Sequence, residues 1–265
     1  MSDKFFNKVF ESGRKRVLGD EKIRERSKSP TNEEEALIST REVARSGELL
    51  GGGIGSARFI QLKDDGGAVF KPHSKYEKER AMIFSGRERA AYLVDRFLGF
   101  NFVPPTVIRS IGDETGSLQE FVSDFQSAWE VQKDQISKEE LLKLKIFDFL
   151  INNDDRNNDN YLVKNGKIFA IDNGIAFYLE DAYKIMGLTS VQNDPIPLEL
   201  RQSFKKFIEW PEGVQLLKEL LAELLGDEIA DAYVKRISAF IETIDDQGRV
   251  TEERLTAALK SKFKQ

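Results

Sequence analysis

The sequence predicts an α+β chain of two lobes, a small β-rich N-lobe with one long helix and a larger, mostly helical C-lobe. Short strand-like runs separated by glycine-rich turns cluster within residues 47–122, and one long helical pattern interrupts them. Residues 123–265 mainly show apolar positions at helical spacing. Residues 1–46 are polar and mixed in charge, so we expect them to form an extension ahead of the N-lobe.

The composition excludes several classes of function. The 265 residues include no cysteine and a single histidine, His73, which rules out disulfides and argues against zinc clusters and a Ser–His triad. The net charge of −5 argues against nucleic acid as a partner. We find neither a signal peptide nor an apolar run of membrane-spanning length, so we expect a cytoplasmic protein. A Mg²⁺-dependent chemistry built on carboxylates remains.

A glycine-rich turn and a lysine mark the first strands of the N-lobe. We predict strands at residues 57–62 and 68–72, joined by a DDGG turn. Before them, a glycine-rich turn lets backbone N–H groups approach phosphates, because no side chains block the way. Lys71, on the strand after the DDGG turn, is the predicted phosphate-binding lysine. An ordinary turn and a solvated lysine are the alternatives. The residues assigned to nucleotide binding in the turn are Gly53, Gly55 and Ser56.

The long helix is predicted at residues 77–98, ended by Gly99, and it offers an acidic partner for such a lysine. We choose Glu88, with Glu79 as the alternative and a solvated glutamate as the alternative to both. Two further strands follow, in VPPTVIRSI and GSLQEFV. The end of the second is predicted to be the hinge that lines the adenine pocket. Its residues are Gln119, Phe121 and Val122.

The stretch NNDDRNNDN carries the predicted chemistry. Ser137 and Glu140 form a capping box for a buried helix that leads into it. Asp155 and Asn160 are five residues apart, the spacing between the catalytic Asp and the metal-binding Asn of kinase catalytic loops. Beyond this stretch we predict helices at residues 211–225, 229–244 and 251–263.

A β-hairpin is predicted to bring Asp172 next to Asn160. Residues 161–163 and 167–171 would form its strands, with an Asn-Gly turn between them. Asn160 and Asp172 would then hold Mg²⁺ against the phosphates of ATP, while Asp155 would orient or deprotonate an acceptor hydroxyl. A plain polar loop and a Ca²⁺ site are the alternatives, although the EF-hand spacing is absent.

Several segments together resemble the phosphatidylinositol 3-/4-kinase superfamily, and most closely the type II phosphatidylinositol 4-kinases. They span about half of the chain, and DFLINNDDRNNDNYLV and AIDNGIAF are the most specific. The resemblance implies a protein-kinase-like fold, with ATP and Mg²⁺, or Mn²⁺ in its place, as cofactors. It makes Lys71 the phosphate-binding lysine, Asp155 the catalytic aspartate, and Asn160 and Asp172 the metal ligands. The chain departs from the family in lacking the palmitoylated cysteines and in carrying Asn157 where many members have histidine.

The function expected on this basis is an ATP- and Mg²⁺-dependent kinase whose acceptor is an inositol lipid. A protein Ser/Thr kinase of the same fold and a nucleotide-binding pseudokinase scaffold are the alternatives. Apolar and basic residues lie side by side within residues 4–16, which suits a short basic amphipathic helix on a membrane surface or a partner. A helix packed on the body of the protein, or a frayed tail, is the alternative for this segment.

Overall fold

The chain folds into the two predicted lobes in a computed structural model that describes residues 33–50, 57–63, 66–72, 78–131, 135–179, 182 and 194–263. The predicted glycine-rich turn with Gly53, Gly55 and Ser56, and the basic segment within residues 4–16, lie outside the described residues. Within the described ranges, no helix is both long enough and apolar enough to cross a bilayer.

The N-lobe is a five-stranded antiparallel sheet with its own small core. The sheet order is β1-β2-β3-β5-β4, which makes β3, the strand of Lys71, central. Alternate residues of the strands point inward, and Ile60, Phe70 and Leu118 are fully buried on one face of the sheet. The elements are helix α1 (Glu33–Thr40) and strands β1 (Val43–Leu49), β2 (Arg58–Leu62), β3 (Gly67–Pro72), β4 (Thr106–Ile111) and β5 (Glu114–Glu120).

Helix α1 packs on this sheet although it lies upstream of the predicted N-lobe. The predicted boundary at residue 47 falls inside β1. Ile38 of α1 is buried in the N-lobe core, and Arg109 of β4 donates hydrogen bonds to the carbonyl oxygens of Ile38 and Arg41, at 2.8 and 2.7 Å. The sequence of α1, EEEALIST, has few apolar residues, so its periodicity is a weak signal.

The C-lobe combines a three-stranded sheet, in the order β6-β7-β8, with a helical bundle. As predicted, Ser137 stands at the start of α3 and caps it, because its Oγ accepts the N–H of Glu140 at 3.0 Å. The three predicted C-terminal helices correspond to α5, α6 and α7, with ends that differ by no more than two residues. The elements are β6 (Gln126–Ser127), α3 (Lys138–Ile151), β7 (Tyr161–Lys164), β8 (Lys167–Ala170), α4 (Leu198–Ile208), α5 (Pro211–Leu225), α6 (Asp227–Glu242) and α7 (Glu252–Phe263).

Helix α4 has no counterpart among the predicted elements. Its buried residues Leu200, Phe204 and Phe207 follow helical spacing. Pro197 stands at its N-cap position, where no side chain makes a capping hydrogen bond. Without a capping residue, the helix lacks the start signal that marks α3.

Helix α2 (Lys78–Leu98) connects the two lobes. Ala90 and Val94 belong to the large hydrophobic core that the C-lobe helices build. Gly86 allows a close approach to α5, because a Cβ atom at this position would lie 2.7 Å from the carbonyl oxygen of Leu224. The helix ends at Leu98 and is followed by Gly99, whose φ of 79° suits glycine. Since α2 is fixed against α5, its other face can hold side chains toward the sheet at defined positions.

Candidate active site

The polar loop after α3 is a tight, hydrogen-bonded turn. Asn152 caps α3 in a left-handed conformation, with φ of 51°. Asn153 Oδ1 then accepts the N–H of Asp155 at 3.1 Å. The N–H of Asn157 donates to the carbonyl oxygen of Asp155, at 2.8 Å, and the N–H of Asn160 donates to that of Asn157, at 3.1 Å. Asn and Asp side chains favour such turns, because they hydrogen-bond nearby backbone groups.

This turn brings Asp155 and Asn160 together. The Asn160 Nδ2 group donates to Asp155 Oδ2 at 2.9 Å and to the Asp155 carbonyl oxygen at 2.6 Å. Both of these Asp155 atoms can only accept hydrogen bonds, so they require the amide nitrogen of the buried Asn160 on this side. Because the nitrogen faces Asp155, the amide oxygen Oδ1 is the atom that a metal ion would meet.

The hairpin predicted at residues 161–171 forms and carries Asp172 to the same end as Asn160. Strands β7 and β8 pair from Tyr161 with Ala170 to Lys164 with Lys167. One step further, the N–H of Ile171 donates to the carbonyl oxygen of Asn160 at 3.1 Å. Asp172 follows in a left-handed conformation with φ of 56°, and its side chain is half exposed.

Lys71, Glu88 and Asp172 meet at the junction of the lobes. Lys71 Nζ lies 2.5 Å from Glu88 Oε1 and 2.9 Å from Asp172 Oδ1. The second Glu88 oxygen, Oε2, accepts the N–H of Asn173 at 3.0 Å. Burial opposes the charged form of Lys71, but the Glu88 and Asp172 carboxylates outweigh it and hold the pKa of the ammonium above its usual range. The alternative partner, Glu79, lies on α2, but its side chain is outside the described residues.

The predicted adenine hinge lies at the end of β5. Gln119 Nε2 donates to Thr106 Oγ1 at 2.9 Å, so this side chain is held within the sheet. Phe121 packs edge-to-face on Phe59, at 5.1 Å between ring centroids, and its N–H donates to the carbonyl oxygen of Gly67 at 3.0 Å. Val122 follows and is partly exposed.

An apolar surface beside Lys71 was missed by the sequence analysis. Phe59 pairs with Val69 across β2 and β3, and Val69 is two residues from Lys71. Side chains alternate along a strand, so all three lie on the same face of the sheet, opposite the buried core. The alternation within β2 and β3 is the signal from which this face could have been found.

Arg156 is a second residue that the sequence analysis did not assign. Its guanidinium donates to both carboxylate oxygens of Asp148, at 2.9 to 3.2 Å. It also donates to the carbonyl oxygens of Asn160 and Ile171, the latter at 2.7 Å, and to Asn173 Oδ1 at 2.5 Å. One planar, buried cation therefore ties α3 to both chain segments that carry the candidate metal ligands.

Two carboxylates in the polar loop after α3 had no predicted role. Asp154 is exposed. Asp159 Oδ1 accepts the indole N–H of Trp129 at 2.8 Å, and Trp129 itself is 67% exposed. A large aromatic ring is therefore held at the surface beside the residue that precedes Asn160.

The donor atoms of Asn160 and Asp172 suit a hard divalent cation. Oxygen ligands from one carboxylate and one amide are typical of Mg²⁺ sites that are completed by substrate phosphates and water. Among the described residues, no three histidine, cysteine or carboxylate side chains converge on one point. A cation at this site would therefore depend on a ligand such as a nucleotide for much of its coordination.

Comparison with known proteins identifies the family. Residues 86–232, more than half of the chain, match the family described as phosphatidylinositol 3- and 4-kinase. The chain belongs to the phosphatidylinositol 3- and 4-kinase family. The matched range of this family member contains Glu88, Asp155, Asn160 and Asp172, and it begins after Lys71. The closer resemblance to type II phosphatidylinositol 4-kinases stays a prediction.

A curated relative and two solved structures are similar to this member of the phosphatidylinositol 3- and 4-kinase family. Protein Rv2133c of Mycobacterium tuberculosis is 25% identical over 193 residues, which cover 58% of this chain and 63% of that protein. A crystal structure of the Golgi casein kinase with Mn and ADP bound has a TM-score of 0.55 at 18% identity, covering 92% of this chain and 78% of its own. A second structure of that kinase has a TM-score of 0.54 at 17% identity, covering 94% and 76%. These structures confirm the predicted kinase-like fold.

Proposed function

We propose that this protein is an ATP- and Mg²⁺-dependent kinase that transfers the γ-phosphate to a hydroxyl group. The observation that carries the proposal is the meeting of Lys71, Glu88 and Asp172 at one point, with Asp155 and Asn160 joined at the end of the same hairpin. Phosphoryl transfer depends mainly on positioning and on neutralising charge, so a few well-held polar residues are sufficient for it.

Lys71 is the proposed phosphate ligand of the N-lobe. Its raised pKa keeps the ammonium charged at any physiological pH, as binding an α- or β-phosphate requires. Glu88 holds the ammonium from one side, and its bond to the Asn173 N–H ties the pair to the residue after Asp172. This contact supports a site in which Lys71 and Asp172 approach the same nucleotide from opposite lobes.

Asp155 is the proposed residue for the acceptor hydroxyl. One of its carboxylate oxygens accepts the Asn160 amide, which fixes the side chain. The second oxygen would accept the proton of the acceptor hydroxyl, while the oxygen of that hydroxyl attacks the γ-phosphorus and ADP leaves. The proton therefore moves from the acceptor to Asp155, and the bond from the γ-phosphorus to the bridging oxygen breaks.

Asn160 Oδ1 and the Asp172 carboxylate would hold Mg²⁺. When bound, the ion would neutralise charge on the phosphate oxygens. The Golgi casein kinase structure with Mn and ADP supports Mn²⁺ as an alternative ion for this fold. Phe59 and Val69 form an apolar wall on the Lys71 face of the sheet, which suits the adenine ring between this face and the hinge.

Family membership supports an inositol lipid as the acceptor. A protein Ser/Thr hydroxyl is the second candidate, because the similar solved structures are of a casein kinase. The exposed Trp129 next to Asp159 suits either, since its ring can contact lipid or peptide. The given sequence lacks the cysteines through which the type II lipid kinases are palmitoylated.

The acceptor is tested by incubating the full chain with Mg-ATP labelled at the γ-phosphate, together with phosphatidylinositol vesicles and casein. The lipid and protein fractions are then counted separately. We expect label in the lipid fraction, and Lys71→Met serves as the inactive control. Label in casein alone would assign a protein kinase. Nucleotide binding without label in either fraction would favour a pseudokinase and contradict the proposal.

A further inference from the structure

A fully buried ion pair connects the N-terminal helix α1 with α2. Glu35 Oε2 lies 2.6 Å from Arg89 Nη2, and both side chains have no exposed surface. Arg89 also donates through Nη1 to the carbonyl oxygen of Thr106, at 2.5 Å. Arg89 is the immediate neighbour of Glu88, the residue that holds Lys71.

The two neighbouring side chains point in different directions and contact different segments of the chain. Successive residues of a helix point about 100° apart. Arg89 contacts α1 and β4, while Glu88 contacts Lys71 of β3 and the backbone of Asn173. A rotation of α2 about its axis would therefore break both sets of contacts together.

Stability alone does not explain a charged pair at this place. A buried ion pair must be desolvated, and an apolar pair of similar volume is often equally or more stabilising. An ion pair with arginine instead fixes the orientation of its partners, because the planar guanidinium donates good hydrogen bonds only within a narrow range of directions. The Arg89 bond to the Thr106 carbonyl fixes the same guanidinium from β4.

We propose that Glu35 and Arg89 are positioning residues, which fix the rotation of α2 and so hold Glu88 against Lys71 and the Asn173 N–H. The proposal rests on the proposed function, because it concerns the pair that we assign to phosphate binding. It predicts that changes in α1 reach the nucleotide site through Glu88. Glu35 itself touches neither the nucleotide nor the acceptor in this account.

Two readouts test the proposal on the full chain. The first is the Kd of Mg-ATP for the wild type, Glu35→Gln, Glu88→Gln and the double variant. We expect each single change to raise Kd by about tenfold, and the double variant to match Glu88→Gln alone, because coupled residues are not additive. The second is hydrogen exchange of the Asn173 amide, which needs no nucleotide. It is expected to speed up by about tenfold in both single variants. In Glu88→Gln one amide oxygen cannot serve both Lys71 and the Asn173 N–H, and Glu35→Gln weakens the ion pair that orients Glu88.

Two further variants separate positioning from folding. In Glu35→Met with Arg89→Met, an apolar pair replaces the ion pair, so thermal stability is expected to persist while Kd and Asn173 exchange still rise. Arg236→Met removes another fully buried arginine, which donates to the carbonyl oxygens of Phe149 and Ala182 in the C-lobe. This variant is expected to have a lower melting temperature. Its Asn173 amide should exchange no faster than the global unfolding of the variant allows.

The outcomes distinguish this inference from the proposed function. Additive effects of Glu35→Gln and Glu88→Gln on Kd, or wild-type exchange at Asn173 in the paired methionine variant, would overturn the positioning role. A wild-type chain that binds no nucleotide would instead overturn the proposed function. In that case, faster exchange of the Asn173 amide in both the Glu35 and the Glu88 variants would still establish that Glu35 positions Glu88.

Discussion

Replacing Arg156 by methionine is predicted to lower the free energy of unfolding and to slow phosphoryl transfer. The guanidinium bonds both oxygens of Asp148, two backbone carbonyl oxygens and the Asn173 side chain. Methionine has a similar length and flexible packing but makes none of these bonds. The substitution therefore removes the link between α3 and the two segments that hold Asn160 and Asp172.

The size of the effect follows from what is left behind. The Asp148 side chain is only 11% exposed, so without Arg156 a buried carboxylate loses its counterion, a loss of about 3–5 kcal/mol. When residue 148 is asparagine, removing Arg156 leaves no buried carboxylate without a counterion. In the Asp148→Asn background this removal should then cost about 1–3 kcal/mol for the lost hydrogen bonds. The double-mutant cycle should thus show a coupling of about 2 kcal/mol between the two residues.

The coupling has a predictable pH dependence. Burial raises the pKa of Asp148 to about 6, although Arg156 acts in the opposite direction. Without Arg156 this pKa rises further, so the carboxyl of the variant is protonated at pH 5 and no buried charge remains. Arg156→Met should therefore be less destabilising at pH 5 than at pH 8.

The assay is urea unfolding of the wild type, the two single variants and the double variant at both pH values. Lys205→Met, at an exposed position, is the control and should change the free energy of unfolding by less than about 0.5 kcal/mol. A folded Arg156→Met chain should also transfer phosphate about 100-fold more slowly, because the reacting groups are misplaced. Additive free energies, or a larger loss at pH 5 than at pH 8, would refute the reasoning.

Three further predictions concern the metal site, a buried carboxyl and a helix cap. Asp172→Ala should abolish the Mg²⁺-dependent part of ATP binding in a titration with and without the ion, and an unchanged Mg²⁺ effect would contradict the ligand assignment. Burial raises the pKa of Asp95 to about 7, although the hydrogen bond from the Phe102 N–H acts in the opposite direction. The protonated Asp95 carboxyl therefore contributes stability that is fully present below pH 3.8 and is lost as pH rises through 7. The free energy of unfolding of the wild type should therefore fall by up to about 4 kcal/mol relative to that of Asp95→Asn between pH 4 and pH 8, as measured by denaturant unfolding. A difference between the two proteins that does not change with pH would contradict the raised pKa. Ser137→Ala should lower the free energy of unfolding by about 1 kcal/mol through the lost cap, with an unchanged rate of transfer as its internal check.

Local signals explain what the sequence could predict. The Asn-Gly turn between β7 and β8 and the Ser137 cap act within a few residues, so both are visible in the sequence. Because the turn fixes the register of the hairpin, the placement of Asp172 at the same end of the hairpin as Asn160 followed from spacing alone. Lys71 and Glu88 were chosen as partners, and the structure brings them together, although their roles remain to be tested.

Arg156, Glu35 and Arg89 were missed because the local sequence pattern does not indicate their partners. Arg156 bonds Asp148 and Asn173, and its side chain could equally have been a solvated one in a polar loop. The pair of Glu35 with Arg89 joins helices that no local pattern relates. The sequence of helix α1 is too polar to indicate that the helix packs on the N-lobe. In each case the partner is fixed by tertiary packing, which composition and periodicity do not encode.

The most direct test of the proposed kinase activity compares nucleotide binding and phosphoryl transfer in Asp155→Asn. The account predicts an ATP affinity within about threefold of the wild type, because Lys71, Glu88, Asn160 and Asp172 remain in place, and a rate of transfer lower by about 10²–10⁴-fold. A wild-type rate in this variant would contradict the role of Asp155. A wild-type chain that binds Mg-ATP and transfers no phosphate would contradict the kinase proposal itself.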